Sequence, residues 1–448
     1  MNDPCAPGYD PATGLYHLAF QWNPKSAAWA DISWGHCVSR DTVHWSTGDS
    51  EKWKEMRPIL TPSHTYDRKG IFTGCFVPEG LKGQQGILTV VYTSVSHSPI
   101  HYRLPYVRGN GAPQQLNVRA WRDPFVDTWP ALSRSVGRNE GTKWGIISGS
   151  VEGEGPNVFL YEIGDRDLTK WTFVASLVKF PCGLPASSAW TGDIGKNWEV
   201  CNFLSHLSSS GHRDRVWLTM SAEGTQRWGL QTGGILAKDE LVRTPRWSLW
   251  MAGRVEADVR GQPKVQHEYG GVLDHGCFYA SNSFWDPVRE RTIAWGKFVL
   301  PYQWKFRFDE TAGWILEDDL PPALRDAQAW AGVISLPREL FVLRIPNIVG
   351  TLRTSIQEIG SFSAQENGTR GWEVETLGIR PIQEVESLRK MAKEMRVGQV
   401  RLGKGRNMVS LGLVEKTWEF QGDVGVWGKV AKVGLYMRHS EGRRSARC

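Results

Sequence analysis

The sequence predicts an all-β protein, and three observations carry that expectation. Short segments rich in aromatic and β-branched residues recur, each bounded by Gly, Pro, Asp or Asn. Long amphipathic helices are nearly absent until late in the chain. One turn-and-strand pattern returns at wide spacing.

Taken in order, the strand segments are Tyr16 to Trp22, Ile87 to Val95, Lys143 to Val151, Asn157 to Ile163, Arg215 to Ser221, Gly276 to Phe284 and Arg291 to Gly296. Their spacing is that of antiparallel strands joined by turns, in a sandwich, a barrel or a propeller. The repeat selects among these. Arg40-Asp41-Thr42-Val43-His44-Trp45-Ser46 and Arg166-Asp167-Leu168-Thr169-Lys170-Trp171-Thr172 share R-D-x-x-x-W-[ST], and Arg325-Asp326 followed by Trp330 matches its first part. Repetition of one such unit is what propeller blades leave in a sequence. The first large domain ends near Ser335-Leu336-Pro337-Arg338-Glu339-Leu340. Beyond it, Val385, Leu388, Met391, Ala392 and Met395 follow a helical spacing, so Gln383 to Arg396 reads as a short helix. Met408 to Val414 and Lys416 to Phe420 read again as strands, of a second and smaller β domain.

Composition narrows the classes. A chain of 448 residues suggests two or three domains, and a large all-β domain with a smaller partner fits equally well. With 40% hydrophobic and 22% charged residues it can bury a sizeable core, which excludes general disorder. The net charge of +6 owes much to Arg438, Arg443, Arg444 and Arg447 near the end, and elsewhere the signs are mixed, so no nucleic-acid partner is read. Cys5, Cys37, Cys75, Cys182, Cys201, Cys277 and Cys448 form no C-x-x-C pair and no Cys/His cluster, which argues against structural zinc and a disulfide framework and for buried thiols. No apolar run is long enough to span a bilayer, so no membrane partner is read. The opening residues carry no charged and apolar leader pattern, and the compartment stays open. One sequon, Asn367-Gly368-Thr369, would matter in a secreted form.

The chemistry sought in such a β-rich chain is a convergence of carboxylates. Glycoside cleavage needs one to attack the anomeric carbon and one to protonate the leaving oxygen, about 5 to 5.5 Å apart when configuration is retained. Three stand out by context: Asp3 in Asn2-Asp3-Pro4, Asp123 in Trp121-Arg122-Asp123-Pro124, and Glu199 in Asn197-Trp198-Glu199-Val200-Cys201. The Asp-Pro pairs at Asp10-Pro11 and Asp286-Pro287 read instead as turns.

The ordered trio resembles glycoside hydrolase family 32, the invertase, inulinase and fructosyltransferase family, whose members carry an N-D-P block, an R-D-P block and a Glu near a Cys. The chain looks most like the fungal sucrose fructosyltransferases and β-fructofuranosidases through Gly8-Tyr9-Asp10-Pro11, Phe20-Gln21-Trp22-Asn23-Pro24, Ser33-Trp34-Gly35-His36, Phe72-Thr73-Gly74-Cys75-Phe76 and Ser335 to Leu340. The resemblance covers most of residues 1 to 340. It implies a five-bladed β-propeller over 1–340, a linker with a short helix over 341–396 and a partial β-sandwich over 397–448. It also implies Asp3 as nucleophile, Asp123 as stabiliser of the transition state and Glu199 as general acid/base. On this reading Glu199 needs a raised pKa from burial, whereas Arg122 should keep Asp123 ionised. Asn2 and Gln21 are expected to hold the fructosyl ring, Arg122 a hydroxyl, and Trp29, Trp34 and Phe72 to stack on sugar faces. Thr73 and Glu223 are expected to line the site, with Glu317 or Asp318 near its acceptor side. The implied substrates are sucrose and fructo-oligosaccharides, and neither cofactor nor metal is called for.

Three departures from the family pattern carry expectations of their own. The nucleophile is the third residue, on an edge that frays unless tied down. Lys297 to Gly313 reads as an insertion between Trp295-Gly296 and Trp314. The tail after Leu340 is short for a full sandwich, which predicts exposed strand edges and poor stability. The expected activity is retaining cleavage of the fructosyl bond of sucrose through a covalent fructosyl-enzyme, with hydrolysis, transfer to a sugar, or both. The alternatives are an inulinase-type fructan hydrolase and a catalytically inactive carbohydrate-binding propeller.

Overall fold

The computed structural model describes residues 2–25, 31–46, 58–96, 113, 115–164, 167–179, 194–207, 214–223, 246–274, 278–298, 332–351, 354–368, 371–401, 436–438 and 445–447. The main sheets are antiparallel, and the first three are meanders. The first holds β1 (Pro4–Asp10), β2 (Leu15–Trp22), β3 (Ser33–Ser39) and β4 (Trp45–Ser46) in that order. Next come β5 (Gly70–Glu79) and β6 (Gln85–Val95), which pair with each other alone as a two-stranded sheet. The second main sheet is β7 (Val118–Thr128), β8 (Lys143–Val151), β9 (Gly155–Ile163) and β10 (Trp171–Lys179), with a short helix α1 (Pro130–Ser135) after β7. The third is β11 (Asn197–Phe203), β12 (Arg215–Glu223), β13 (Arg246–Ala257) and β14 (Pro263–Val272). The last runs in the order β15 (Phe278–Asp286), β16 (Arg291–Phe298), β18 (Arg338–Ile348), β20 (Gly371–Pro381) and β19 (Ser363–Asn367), with β17 (Val333–Ile334) paired beside β18 on the same edge of β16. A separate hairpin joins β21 (Tyr436–Arg438) to β22 (Ser445–Arg447).

The expectation of five blades is therefore corrected. Among the described residues four sheets have blade form, and the fourth is extended by β18, β20 and β19 into a sandwich-like sheet. Among the described residues no fifth four-stranded unit is found: β5 and β6 form a ladder only with each other, although Ile71 N of β5 donates to Ile32 O at 2.9 Å and β5 packs between β1 and β7.

The turns explain much of the strand order. After β1, Asp10 accepts the amide of Ala12 at 3.0 Å and the hydroxyl of Thr13 at 2.6 Å, closing the hairpin to β2. Asp286 does the same between β15 and β16, accepting the Val288 amide at 3.0 Å. Both Asp-Pro pairs are turns, as the sequence indicates. The Asp-x-x-x-Trp repeat is also structural. It makes the same connection, third strand to fourth, in two blades. Asp41 accepts the amides of Val43 and His44, and Trp45 Nε1 donates to Thr42 O at 3.0 Å. Asp167 likewise accepts the amide of Thr169, and Trp171 Nε1 donates to Leu168 O at 2.8 Å. The carboxylate closes the turn and the indole locks it from the other side. The Arg325 copy lies outside the described residues.

The core is built from the strand faces that meet between sheets. Trp34, Trp129, Trp144, Trp198, Trp217 and Trp295 are fully buried. Trp129 stacks on Phe203 with centroids 4.3 Å apart, joining the second blade to the third. Cys5, Cys37, Cys75 and Cys201 are free thiols buried in the core; Cys182, Cys277 and Cys448 lie outside the described residues. The helix expected over Gln383 to Arg396 is a 3-10 helix, Gln383–Met391. Ile382 at its N-cap and Val385 in its first turn pack against the blade, while Leu388 and Met395 are exposed, so the expected apolar face is covered only at its start. The strands expected at Met408 to Val414 and Lys416 to Phe420 lie outside the described residues. No helix among the described residues is long and apolar enough to cross a membrane.

Candidate active site

The first strand of each blade is broken by a bulge in the same way. Ala6 in β1, Asp123 in β7, Val200 in β11 and Ala280 in β15 have φ of 44°, 59°, 47° and 52°, and the strand register shifts at each of them. Left-handed backbone is uncommon for residues with a side chain and exceptional for a β-branched one such as Val200. A bulge bends the strand and re-aims the side chains beside it. Arg122, Asp123, Glu199 and Tyr279 sit at these breaks, and there they meet.

Asp3 precedes β1 and is tied down by backbone bonds. Asn2 N donates to Gln21 O at 2.8 Å and Gln21 N to Asp3 O at 3.0 Å, so the expected fraying of this edge is not found. Its carboxyl accepts the Thr73 hydroxyl at 3.1 Å, and Gln21 Nε2 donates to that hydroxyl at 2.9 Å. Thr73 can come so near because Gly74 leaves room: a Cβ there would lie 2.0 Å from Val91 O. Asn2 Oδ1 and Gln21 Oε1 are buried acceptors without a hydrogen-bond partner among the described residues. Burial pushes the Asp3 carboxyl above its ordinary range, with Lys297 pulling it down and Glu199 pushing it up.

Asp123 accepts the Val200 amide at 3.1 Å, and its own amide donates to Thr93 Oγ1 at 2.7 Å. Glu199 receives the Tyr279 hydroxyl at 2.6 Å on Oε2 and Arg122 Nη2 on Oε1. Arg122 stands 3.8 Å from Asp123 and 3.6 Å from Glu223, so one guanidinium serves three carboxylates. Glu223 is buried, accepting Asn197 Nδ2 at 2.9 Å and Arg246 Nη2 at 3.2 Å. Arg246 also lies over the Tyr279 ring, 5.8 Å from its centroid.

These contacts reverse the expected charges. Burial works to raise Glu199, but Arg122, Arg246 and the Tyr279 hydroxyl outweigh it and hold the carboxyl down at about 2. Asp123 goes the other way: burial, with the charges of Glu199 and Asp3, overcomes Arg122 and lifts it to about 8. The reason is where Arg122 points. Its hydrogen bond goes to Glu199, and its neighbour in sequence gets the longer contact.

Asn2, Asp3, Gln21, Thr73, Arg122, Asp123, Glu199 and Glu223 are thus brought together. Trp34 is not a sugar platform, because it is fully buried, donates to Phe72 O at 3.1 Å and packs edge-on against Tyr92. Phe72 is buried beside Thr73. Trp29, Glu317 and Asp318 lie outside the described residues. Of the expected insertion, Lys297 and Phe298 are the last residues of β16; 299–313 lie outside the described residues. Sequence reasoning missed Tyr279, Arg246, Asn197 and Lys297. Tyr279 is 80 residues from Glu199, and nothing local marks the pair. No metal-ligating group of three His, Cys, Asp or Glu is found among the described residues.

The family model "Glycosyl hydrolases family 32 N-terminal domain" matches residues 1–349. Beta-fructofuranosidase, insoluble isoenzyme 2, of Oryza sativa subsp. indica is 28% identical over 357 residues, 76% of this chain and 51% of the relative. Beta-fructofuranosidase, insoluble isoenzyme 1, of Daucus carota is 27% identical over 415 residues, 86% of this chain and 59% of the relative. Among solved structures, the Aspergillus kawachii beta-fructofuranosidase complexed with glycerol aligns with a TM-score of 0.66 at 24% identity, over 86% of this chain and 64% of that one. A fructosyltransferase from A. japonicus gives 0.65 at 23%, over 86% and 66%. Both structural likenesses concern the fold. The chain spans about half the length of the curated relatives it matches, 51% to 53% for those from rice.

Proposed function

The chain belongs to glycosyl hydrolase family 32, and on that premise we propose that it cleaves the fructosyl bond of sucrose-like sugars and passes the fructosyl unit to water or to a sugar acceptor. Residues 1–340 form the catalytic part. Asp3 attacks the anomeric carbon, Glu199 protonates the leaving oxygen, and Asp123 holds hydroxyls whose bonds strengthen as charge develops on the ring. The observation that supports this best is the meeting of Asp3, Asp123 and Glu199, from three separate blades, close enough to act on one another's ionisation. Asn2 Oδ1 and Gln21 Oε1 beside Asp3, unpaired among the described residues, suit sugar hydroxyl donors.

Acid catalysis asks for a protonated Glu199, whereas Arg122 keeps it ionised in the free site. On the proposed route the sugar draws Arg122 onto its hydroxyls. Burial, now unopposed by that ion pair, then raises Glu199 toward the pKa an acid needs. The same ion pair favours a second reading, a propeller that binds fructosyl sugars without turning them over.

Incubation with sucrose separates the cases. Glucose without matching fructose, plus a trisaccharide, means transfer; equal glucose and fructose mean hydrolysis; faster turnover of inulin points to a fructan hydrolase. Binding by calorimetry with no product supports the second reading. Asp3→Ala should abolish turnover, and an active Asp3→Ala protein would sink the role given to Asp3.

A further inference from the structure

Lys297 is a buried cation to which the proposed mechanism gives no role. It lies on β16, 7% exposed, directly opposite Tyr279 on β15. Residues paired across an antiparallel ladder stand on the same face of the sheet. Tyr279 uses that face to reach Glu199 at 2.6 Å. Trp295, two residues earlier on β16, packs with Leu18 and Phe20 of β2, the strand beside β1. Side chains two apart on a strand share a face. The face that carries Lys297 is therefore turned both to the carboxylate cluster and to the first blade, where Asp3 precedes β1.

Two other described cations of the pocket are engaged with carboxylates other than Asp3. Arg122 contacts Asp123, Glu199 and Glu223, and Arg246 pairs with Glu223. Lys297 exerts more pull on Asp3 than any other charge, ahead of Arg246. We propose that Lys297 is a positioning residue of this pocket, whose ammonium holds the Asp3 carboxylate as an anion beside Glu199. Its bearing on turnover rests on Asp3 being the nucleophile; its placement does not.

The test reads the two separately. In protein labelled with 13C at the aspartate carboxyl carbon, the Asp3 resonance is identified by its loss in Asp3→Asn and titrated by NMR. Lys297→Met should move its midpoint up by about one pH unit or more, and Lys297→Arg should restore it. Lys297→Gln, which keeps a polar head of similar length, carries the same expectation as Lys297→Met. In turnover of sucrose, the acid limb of the kcat/KM profile should follow the NMR midpoint, with kcat down about tenfold and KM little changed. A shifted midpoint in a chain without sucrose turnover upholds Lys297 and removes the proposed role of Asp3. An unmoved Asp3 midpoint in a Lys297→Met or Lys297→Gln protein that melts like the parent overturns the proposal. So does loss of activity that is equal in the Met and Arg variants with the midpoint unchanged.

Discussion

Arg215→Met should destabilise the protein by about 2 to 4 kcal/mol, an amount set by the three bonds the guanidinium makes. Arg215 begins β12 and is 6% exposed. Its Nε and Nη2 donate to Glu268 on β14 at 3.1 and 2.8 Å, and its Nη1 donates to Glu375 on β20. It therefore ties the third blade to the sandwich-like sheet. Methionine keeps the length and most of the apolar volume, so the loss is electrostatic. A hydrogen bond to a charged group is worth about 1.5 to 3 kcal/mol, and the Glu375 bond takes that value in full. Glu268 keeps Arg254 at 2.9 Å and its side chain is 28% exposed. Its share is discounted to that of a surface pair, under about 1 kcal/mol. Glu375 keeps the Tyr269 hydroxyl at 2.9 Å and Arg344 at 2.9 Å, so the larger cost of an orphaned buried charge does not apply.

The assay is a thermal melt near neutral pH, where the midpoint should fall by about 2 to 4 °C for a chain of 448 residues. A double-mutant cycle with Glu375→Gln should return a coupling of at least about 1 kcal/mol. The pH dependence supplies a sign. Burial works to raise Glu375, but Tyr269, Arg344 and Arg215 outweigh it and lower its pKa below the usual 4.5. A carboxylate lowered in the folded state gives stability that is present above 4.5 and is lost as pH falls through the folded value. The gap between parent and variant should therefore close at acid pH. A midpoint within about 1 °C of the parent near neutrality, or a gap that stays constant into acid, would refute the reasoning.

Three further outcomes follow from other parts of the molecule. Val200→Gly should change stability by less than about 1 kcal/mol in urea titration, because relief of left-handed strain offsets the lost burial; a loss as large as that of an ordinary core Val→Gly would contradict the strain. His36 shares a 3.0 Å ring-to-ring hydrogen bond with His17, and burial pushes it down to about 4, so stability present above 6.5 is lost as pH falls toward 4. His36→Asn should flatten that acid loss, and melts that decline as steeply as the parent's would count against it. Under the proposed function, Glu199→Gln should lower kcat on sucrose by about 10²- to 10⁴-fold, with far less effect on a substrate whose leaving group needs no proton; equal losses on both would argue against an acid role.

Where strands lie was legible because each needs only its own residues and the turns that bound it. Lys143 to Val151 is β8 residue for residue, and the Asp41 and Asp167 turns declare themselves through a carboxylate and a Trp four residues on. The number of blades was not legible, since it depends on whether β5 and β6 find partners beyond each other. The site was half legible. Asp3, Asp123 and Glu199 stand in recognisable blocks, and the structure brings them together. The ionisation of Asp123 and Glu199 was read the wrong way round, because it depends on which carboxylate Arg122 faces, and adjacency in sequence suggested Asp123. Tyr279 and Arg246 carry no local mark at all. Lys297 reads in sequence as the start of an insertion, and in the structure it lies in the last two residues of β16.

The left-handed residues of β1, β7, β11 and β15 divide labour between backbone and side chains. Each turns its strand by a break in the main chain, with Ala, Asp, Val and Ala at the four breaks, so no one side chain is required to make it. A cavity shaped in this way can change what it displays without changing its outline. Substitutions at the neighbouring positions exchange one functional group for another on a mount that stays put, which makes these four breaks the places to graft new chemistry.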